Sequence, residues 1–204
     1  LRKSELEDYL THSAETIALA RKNIGKAAEL VKSFKRLAVD RHTDESTEFD
    51  LMTVINDVAT TSKPRLKQQH IHLDIVGPKQ LVIQSYAGIV SQIFENLIGN
   101  AISHGFAGRD SGRIHIEVIQ ASMTDISVSV SDDGHGIEAQ RLTKIFDPFV
   151  TGAREAGHTG LGLHLCHQWV TQVLKGSISV SSEPGQGTTF IVLLPVDVDS
   201  SSQS

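Results

Sequence analysis

Cysteine is almost missing from this chain: among 204 residues only Cys166 carries a thiol. A single thiol excludes an internal disulfide framework and points to a reducing, cytoplasmic setting. Long apolar runs are missing too. None approaches the roughly 20 residues of a membrane span, and no signal peptide opens the chain, so no membrane segment is expected within it. Positive charge is in no excess. Lys and Arg number 19 against 24 Asp and Glu, and a net charge of -5 announces no surface for nucleic acid. Histidine is plentiful, at ten, but metal-ligand spacing is missing. His70-x-His72 reads as one face of a strand and His164-x-x-His167 as helix neighbours. Neither pair has a third and fourth ligand beside it, so both read as surface or core histidines. At 39% hydrophobic and 21% charged, the chain has the composition of one folded domain with a good core and room for an appendage.

Proline is absent from Leu1 to about Arg41, and glycine occurs there once. Leu6, Leu10, Ile17, Ala20, Ile24, Ala27, Val31, Phe34 and Ala38 recur at helical steps. One helix of about eleven turns is expected. A single apolar stripe of that length needs a partner helix. None precedes it, so the expected partner belongs to another chain; packing on its own domain is the alternative. Asp40 to Ser46 is polar and reads as a linker.

From Glu48 the pattern changes. Phe49 and Leu51 suggest a short strand, Met52 to Lys67 a helix that Pro64 can kink or split, His70 to Ile75 a strand and Leu81 to Ile83 another. Tyr86 to His104 is a helix with Ile89, Ile93, Leu97 and Ala101 on one face. Asn96, Asn100 and His104 line up along another side at steps of four. Two asparagines beside so apolar a face ask for a reason, since Asn is a mediocre helix former. A carboxamide oxygen can ligate Mg²⁺ without adding negative charge next to phosphates. A solvated stripe is the plainer alternative.

Ile126, Val128 and Val130 alternate with serines and mark a half-buried strand ending at Asp132, followed by Gly134 and Gly136. An acid at a strand end, facing a gap cleared by glycines, can accept from a buried amino group. Taken alone, Asp-x-Gly-x-Gly reads as a turn. It gains weight from the rest of the chain. Arg113 to Ile119 is a strand, and Ile145 to Val150 sets two aromatics around a Pro turn. Thr151 to Thr159 has the composition of a mobile loop. Gly160-Leu-Gly-Leu163 opens a helix through Leu174, an arrangement that offers free N–H groups to an anion. Gly176 to Ser181 and Thr188 to Leu194 are closing strands, and Asp197 to Ser204 reads as a disordered tail.

Asn100 with its helix, Asp132-x-Gly134-x-Gly136, Phe146-Asp-Pro-Phe149, Gly157-His-Thr-Gly160-Leu-Gly162 and Gly185-x-Gly187-Thr188 stand in one order. They resemble the N box, the first G box, the F box and the second and third G boxes of sensor histidine kinases. The resemblance is to the catalytic and ATP-binding domain of two-component systems, within the gyrase, Hsp90, kinase and MutL superfamily. It covers roughly Glu48 to Pro195. The opening helix, with Leu-Val-Lys-Ser-Phe-Lys at 30–35, resembles the second helix of the dimerisation and phosphotransfer hairpin.

The resemblance implies a two-layer α/β sandwich of the Bergerat type, a mixed sheet with helices on one face, preceded by one long helix. Residues 1–46 would be hairpin helix and linker, 47–196 the ATP-binding domain and 197–204 the tail. Asp132 would bind the adenine amino group, helped by the Gly136 backbone and Thr188 through water. Asn100 would ligate Mg²⁺, and Asn96 and His104 would line the phosphate side. Gly160, Leu161 and Gly162 would offer N–H groups, with Gly134, Phe149, Arg154 and Thr159 completing the nucleotide-binding set. Ser103 stands where many relatives carry Lys or Arg, and Val150-Thr-Gly-Ala where many have Phe-Thr-Thr-Lys. Arg154 is then the one basic residue of that loop and the implied γ-phosphate contact.

The implied activity is transfer of the ATP γ-phosphate to a histidine, for relay to a response regulator aspartate. The implied partners are ATP or ADP, a second copy through the hairpin, and a response regulator; the parent can carry an inner-membrane anchor. The acceptor motif, a histidine followed by an acid and later a Pro, is absent. His12 lacks those neighbours and reads as a surface helix histidine, so no catalytic residue is assigned and the acceptor is expected upstream. An ATP hydrolase would need a base one turn before Asn100, where Asn96 stands, and Glu95 is turned about 100° away on an ideal helix. That reading and a non-catalytic nucleotide-binding module remain as the other two function classes.

Overall fold

The computed structural model describes residues 45–150 and 160–200, together with the helical positions His12, Ser13, Thr16, Ile17, Ala20 and Ile24. The rest of the expected opening helix lies outside the described residues.

The chain enters through β1 (Thr47–Asp50) and turns at once into α1 (Leu51–Gln68). Leu51, expected in the strand, is instead the first helical residue, and the cause is Asp50. Its Oδ1 accepts from the backbone of Met52 at 3.2 Å and of Leu81 at 2.9 Å, capping the helix and pinning the chain at Leu81. Pro64 does not split α1. Thr60, whose carbonyl loses its partner to the proline ring, is exposed, so water can replace the missing bond. After β2 (Ile71–Val76) comes β3 (Val82–Ser85), one residue later than the apolar pattern suggests. The helix α2 (Ala87–Asn100) follows.

β4 (Gly112–Gln120), β5 (Asp125–Asp132), β6 (Ser177–Glu183) and β7 (Gly187–Pro195) join β2 in a five-stranded sheet of order β2-β4-β5-β7-β6. β2 runs parallel to β4 and the other pairs are antiparallel, so the sheet is mixed, as expected. β5 lies at its centre. Ile126, Val128 and Val130 are each 2% exposed or less and belong to one buried core with α2 residues, among them Ile93, Phe94 and Leu97. Each such side chain contributes about 1.5–3 kcal/mol by leaving water, so this seam fixes the height of α2 over the sheet. A short α3 (Ala139–Leu142) follows β5, and α4 (Gly162–Gln168) packs beside α2.

The tail corrects an expectation. Residues 197–200 are ordered against β3: Gln84 donates to the Val196 carbonyl at 2.9 Å and accepts from Val198 at 3.0 Å. The Val198 side chain is 3% exposed, and Asp199 meets the Ser46 hydroxyl in a close contact. The apolar content is a single valine, too little for a sequence pattern to register. Ending the chain after Val196 is expected to cost about 2–3 kcal/mol, from one buried valine and its backbone bonds. A fall of several degrees in melting temperature should follow. An unchanged melting curve would show that the segment only rests on β3.

Candidate nucleotide site

Asp132 is the last residue of β5, paired with Ile114 on one side and Thr188 on the other. The turn after it is built by close approach. A Cβ on Gly134 would stand 2.4 Å from the Gly105 carbonyl oxygen, and one on Gly187 would stand 1.8 Å from the Asp132 carbonyl oxygen. Gly136 has φ +69° and lies against the Glu183 carbonyl. Bonds lock the turn from both sides: His135 N–H to the Gly105 carbonyl at 2.9 Å, and Gly185 N–H to the His135 carbonyl at 2.7 Å. Ser182 Oγ accepts from Ile137 N–H at 2.8 Å and donates to the Gly187 carbonyl at 2.7 Å. The carboxylate is thereby held in place. Its Oδ1 accepts from Gly134 N–H at 2.9 Å. Burial pushes its pKa above the usual carboxylate value, opposed by N–H groups of Gly134 and Thr188.

Beyond Asn100 the helix widens into a π turn, Ala101–Gly105, closed by Phe106 N–H on the Ala101 carbonyl at 3.2 Å. Phe106 is 1% exposed and anchors that end. The wide turn brings Gly105 down onto Asp132, so the strand end and the helix end enclose one cavity of about 690 Å³. That is ample for a nucleotide-sized ligand. Ile137, Ile145, Leu163 and Phe190 give it apolar walls.

Asn96, Asn100, His104, Asp132, Gly136, Gly160, Gly162 and Thr188 all line this cavity. Three expected residues do not. Gly134 lies beneath the turn, where its N–H serves Asp132. Leu161 buries its side chain in the core at 5% exposure. Phe149 is 52% exposed with φ +65°, and its N–H binds the Gly160 carbonyl at 2.9 Å. Arg154, Thr159 and the expected mobile loop Thr151 to Thr159 lie outside the described residues.

Asn100 carries the clearest mark of a ligand contact. Its side-chain Nδ2 is buried without a hydrogen-bond partner. A buried polar atom left unpaired costs about 1–3 kcal/mol, and an amide can turn to present either its oxygen or its nitrogen. Among the described residues no group of three acidic, His or Cys side chains could hold a metal alone. A cation here would need ligand oxygens in addition to Asn100, which is how Mg²⁺ binds beside phosphates. The residues therefore fit Mg²⁺ carried in with a nucleotide. Asn96 is engaged differently. Its amide lies near the buried Cys166, whose thiol donates to the Ile93 carbonyl at 3.8 Å and is pushed up to about 12 by burial, and its Oδ1 would lie 3.5 Å from a Cβ on Gly162.

The sequence reading missed several lining residues. Arg65, Gly99, Ser103, Gly105, His135 and Arg141 border the cavity, and so does Glu95. Glu95, expected to be turned away, is exposed at the rim and accepts from Gln92 Nε2 at 3.1 Å. The cavity mouth spans more of the helix circumference than the strip of asparagines. Arg65 lies on a helix that shares no motif with the site.

The profile described as "Histidine kinase-, DNA gyrase B-, and HSP90-like ATPase" matches residues 87–198. Sensor histidine kinase AruS of Pseudomonas aeruginosa is 31% identical over 197 residues, covering 93% of this chain and 20% of its own length. The chain spans between 20% and 27% of the length of the first curated relatives it matches. The catalytic domain of histidine kinase ThkA superposes with a TM-score of 0.68 at 27% identity, covering 76% of this chain and 99% of that domain. ThkA in complex with the response regulator protein TrrA gives 0.67 at 24% identity, with 85% of this chain and 49% of that one covered. With this site on this sheet, and a family match over more than half its length, the chain belongs to the histidine kinase-, DNA gyrase B- and HSP90-like ATPases.

Proposed function

We propose that this chain is the ATP-binding catalytic portion of a sensor histidine kinase. It transfers the γ-phosphate of ATP to a histidine on a dimerisation hairpin, for relay to a response regulator. Residues 1–46 are, on this reading, the second hairpin helix and linker, which pair two copies in the parent protein. One observation carries the ATP reading: the unpaired buried amide of Asn100 faces the same cavity as the desolvated carboxylate of Asp132. Asp132 accepts from the adenine amino group. The Ile137, Ile145 and Phe190 walls take the flat ring, and Thr188 and the Gly136 backbone bracket it. Asn96, His104 and the backbone at Gly160 and Gly162 border the phosphates. Bound Mg²⁺, held through Asn100, supplies charge neutralisation at the phosphates. The protein's part is positioning, since phosphoryl transfer asks for little covalent chemistry.

Kinase is favoured over hydrolase by Asn96. An amide in the place of a base cannot take a proton from water. Glu95 at the rim is already bonded to Gln92. Among the described residues no helix is long and apolar enough to cross a membrane. The cytoplasmic setting follows from the ATP reading.

Asp132→Asn should weaken ADP binding by about 1–3 kcal/mol, because the amide can present a donor to the adenine amino group. The same change should raise the melting temperature of the ligand-free protein at neutral pH. The folded pKa lies above the unfolded one, so the folded chain holds this proton more tightly. That stabilisation is full below the usual carboxylate value and is lost as pH rises through the raised one. Calorimetric titration and melting curves from pH 4 to pH 8 read both effects. Unchanged ADP affinity in the folded variant would sink the adenine assignment.

Asn100→Ala should lose more affinity for ATP with Mg²⁺ than with EDTA, since only the metal-bearing ligand uses the amide oxygen. Equal loss under both conditions would make Asn100 a packing residue. For the activity itself, γ-labelled ATP is incubated with this chain alone and with the full-length parent. The expected outcome is acid-labile, base-stable label on the parent and none on this chain. Label on this chain that disappears in His12→Ala would make His12 the acceptor. Steady turnover that Glu95→Gln abolishes would favour the hydrolase.

A further inference from the structure

The helix bearing Asn96 and Asn100, with its π turn through Gly105, contains no Lys or Arg. Positive charge reaches the cavity from elsewhere, at Arg65 and Arg141. Arg141 belongs to α3, which follows the Gly134–Gly136 turn at the Asp132 end. Arg65 comes from α1 and crosses to the other end. Its Nη2 donates to Ser103 Oγ at 3.0 Å, and its Nη1 would lie 3.8 Å from a Cβ on Gly99. Gly99 and Ser103 bracket Asn100 one helical turn apart. Gly99 closes the α-helix just before Asn100 and Ser103 sits in the π turn just after it. The guanidinium therefore stands level with the amide of Asn100. Among the described residues no carboxylate forms an ion pair with it. The neighbouring Leu66 is 4% exposed, which fixes the start of the side chain on the α1–α2 seam.

A guanidinium has five N–H donors in a planar fork, and the bond to Ser103 uses one. The remaining donors border a cavity whose Asn100 end has no other fixed cation among the described residues. We propose that Arg65 binds the terminal phosphate oxygens of ATP, and that Ser103 is a positioning residue that holds the fork over the cavity. Two helices then share the phosphate side: α2 supplies neutral amides, and α1 supplies the charge. The proposal rests on the ATP reading above.

The test is calorimetric titration of ATP and of adenosine into the wild-type chain, Arg65→Gln, Ser103→Ala and the double variant Arg65→Gln/Ser103→Lys, with a melting curve for each. Arg65→Gln should lose about ten- to a hundredfold in ATP affinity, the range for one charge-assisted hydrogen bond, and stay within about twofold for adenosine. Ser103→Ala should show a smaller loss of the same selectivity. The double variant should recover most of the ATP affinity, because its lysine rises from the π turn where Ser103 meets the Arg65 guanidinium. If the wild type binds no ATP, the ATP reading fails. If the wild type binds ATP and Arg65→Gln changes nothing, or loses ATP and adenosine alike, the Arg65 assignment alone is overturned. Should Arg65→Gln fail to fold, Ser103→Ala is read by the same criterion: a loss confined to ATP supports the proposal, and an equal loss or none overturns it.

Discussion

The site depends on one close approach, that of the helix end at Gly105 to the turn that leaves β5 at Asp132. The Gly105 carbonyl lies where a Cβ on Gly134 would have to be, and a Cβ on Gly105 would stand 3.0 Å from Asp132 Oδ1. A side chain at Gly134 would lift the helix off the strand, and one at Gly105 would press on the Asp132 carboxylate. Contact at this distance desolvates the carboxylate while leaving it few donors, and its pKa is raised for that reason. The same approach is enforced from the core. Val130 and Phe190 share one buried core with Ile93 and Leu97, and that core sets the distance between the layers. The π turn then supplies the extra residue that lets the chain descend from that height to the strand end. Burial in the core and the His135–Gly105 backbone bond together determine how far Asn100 stands from Asp132.

A protein that leaves a carboxylate half-desolvated and an amide unpaired gives up stability in the empty state. Both groups face one cavity, so a ligand offering a donor at one end and oxygens with a cation at the other relieves both costs together. The turn around Asp132 is already fastened by Ser182, Gly185 and Gly105, and little of it needs to be ordered on binding. Rigid placement of unsatisfied groups concentrates affinity where bonds form with the ligand.

How much of this could be read in the sequence depends on the length scale of each feature. The central strand, the amphipathic helix and the glycine turns are local patterns. Ile126, Val128, Val130 and Ile89, Ile93, Leu97 all point inward as their periods require. Asp132 and Asn100 were legible because each sits in a short motif. Leu51 was not, because a capping side chain next to it outweighed the alternation. The segment at Asp197 was not, because its order comes from backbone bonds to Gln84, more than a hundred residues away. Gly134 and Leu161 fall inside site motifs, yet one supports the site from below and the other serves the core. Arg65 was invisible for the opposite reason. Nothing within its own helix marks it, and only the packing of α1 on α2 carries it to Ser103.

This division separates the two ends of the cavity physically. The Asp132 end is made by the sheet and its hairpins, where register fixes Asp132 opposite Thr188 within one hydrogen-bonded ladder. The other end is made by side chains from helices held together by apolar contact, Leu66 of α1 and Ile98 of α2 among the buried residues. Ladder registers are discrete, whereas helices can slide by fractions of an ångström. A shift of α1 relative to α2 would move the Arg65 guanidinium and leave Asp132 where it is. The Asp132 end is therefore tied to the stiffest part of the fold, and the Arg65 end to an inter-helix contact that can be adjusted independently.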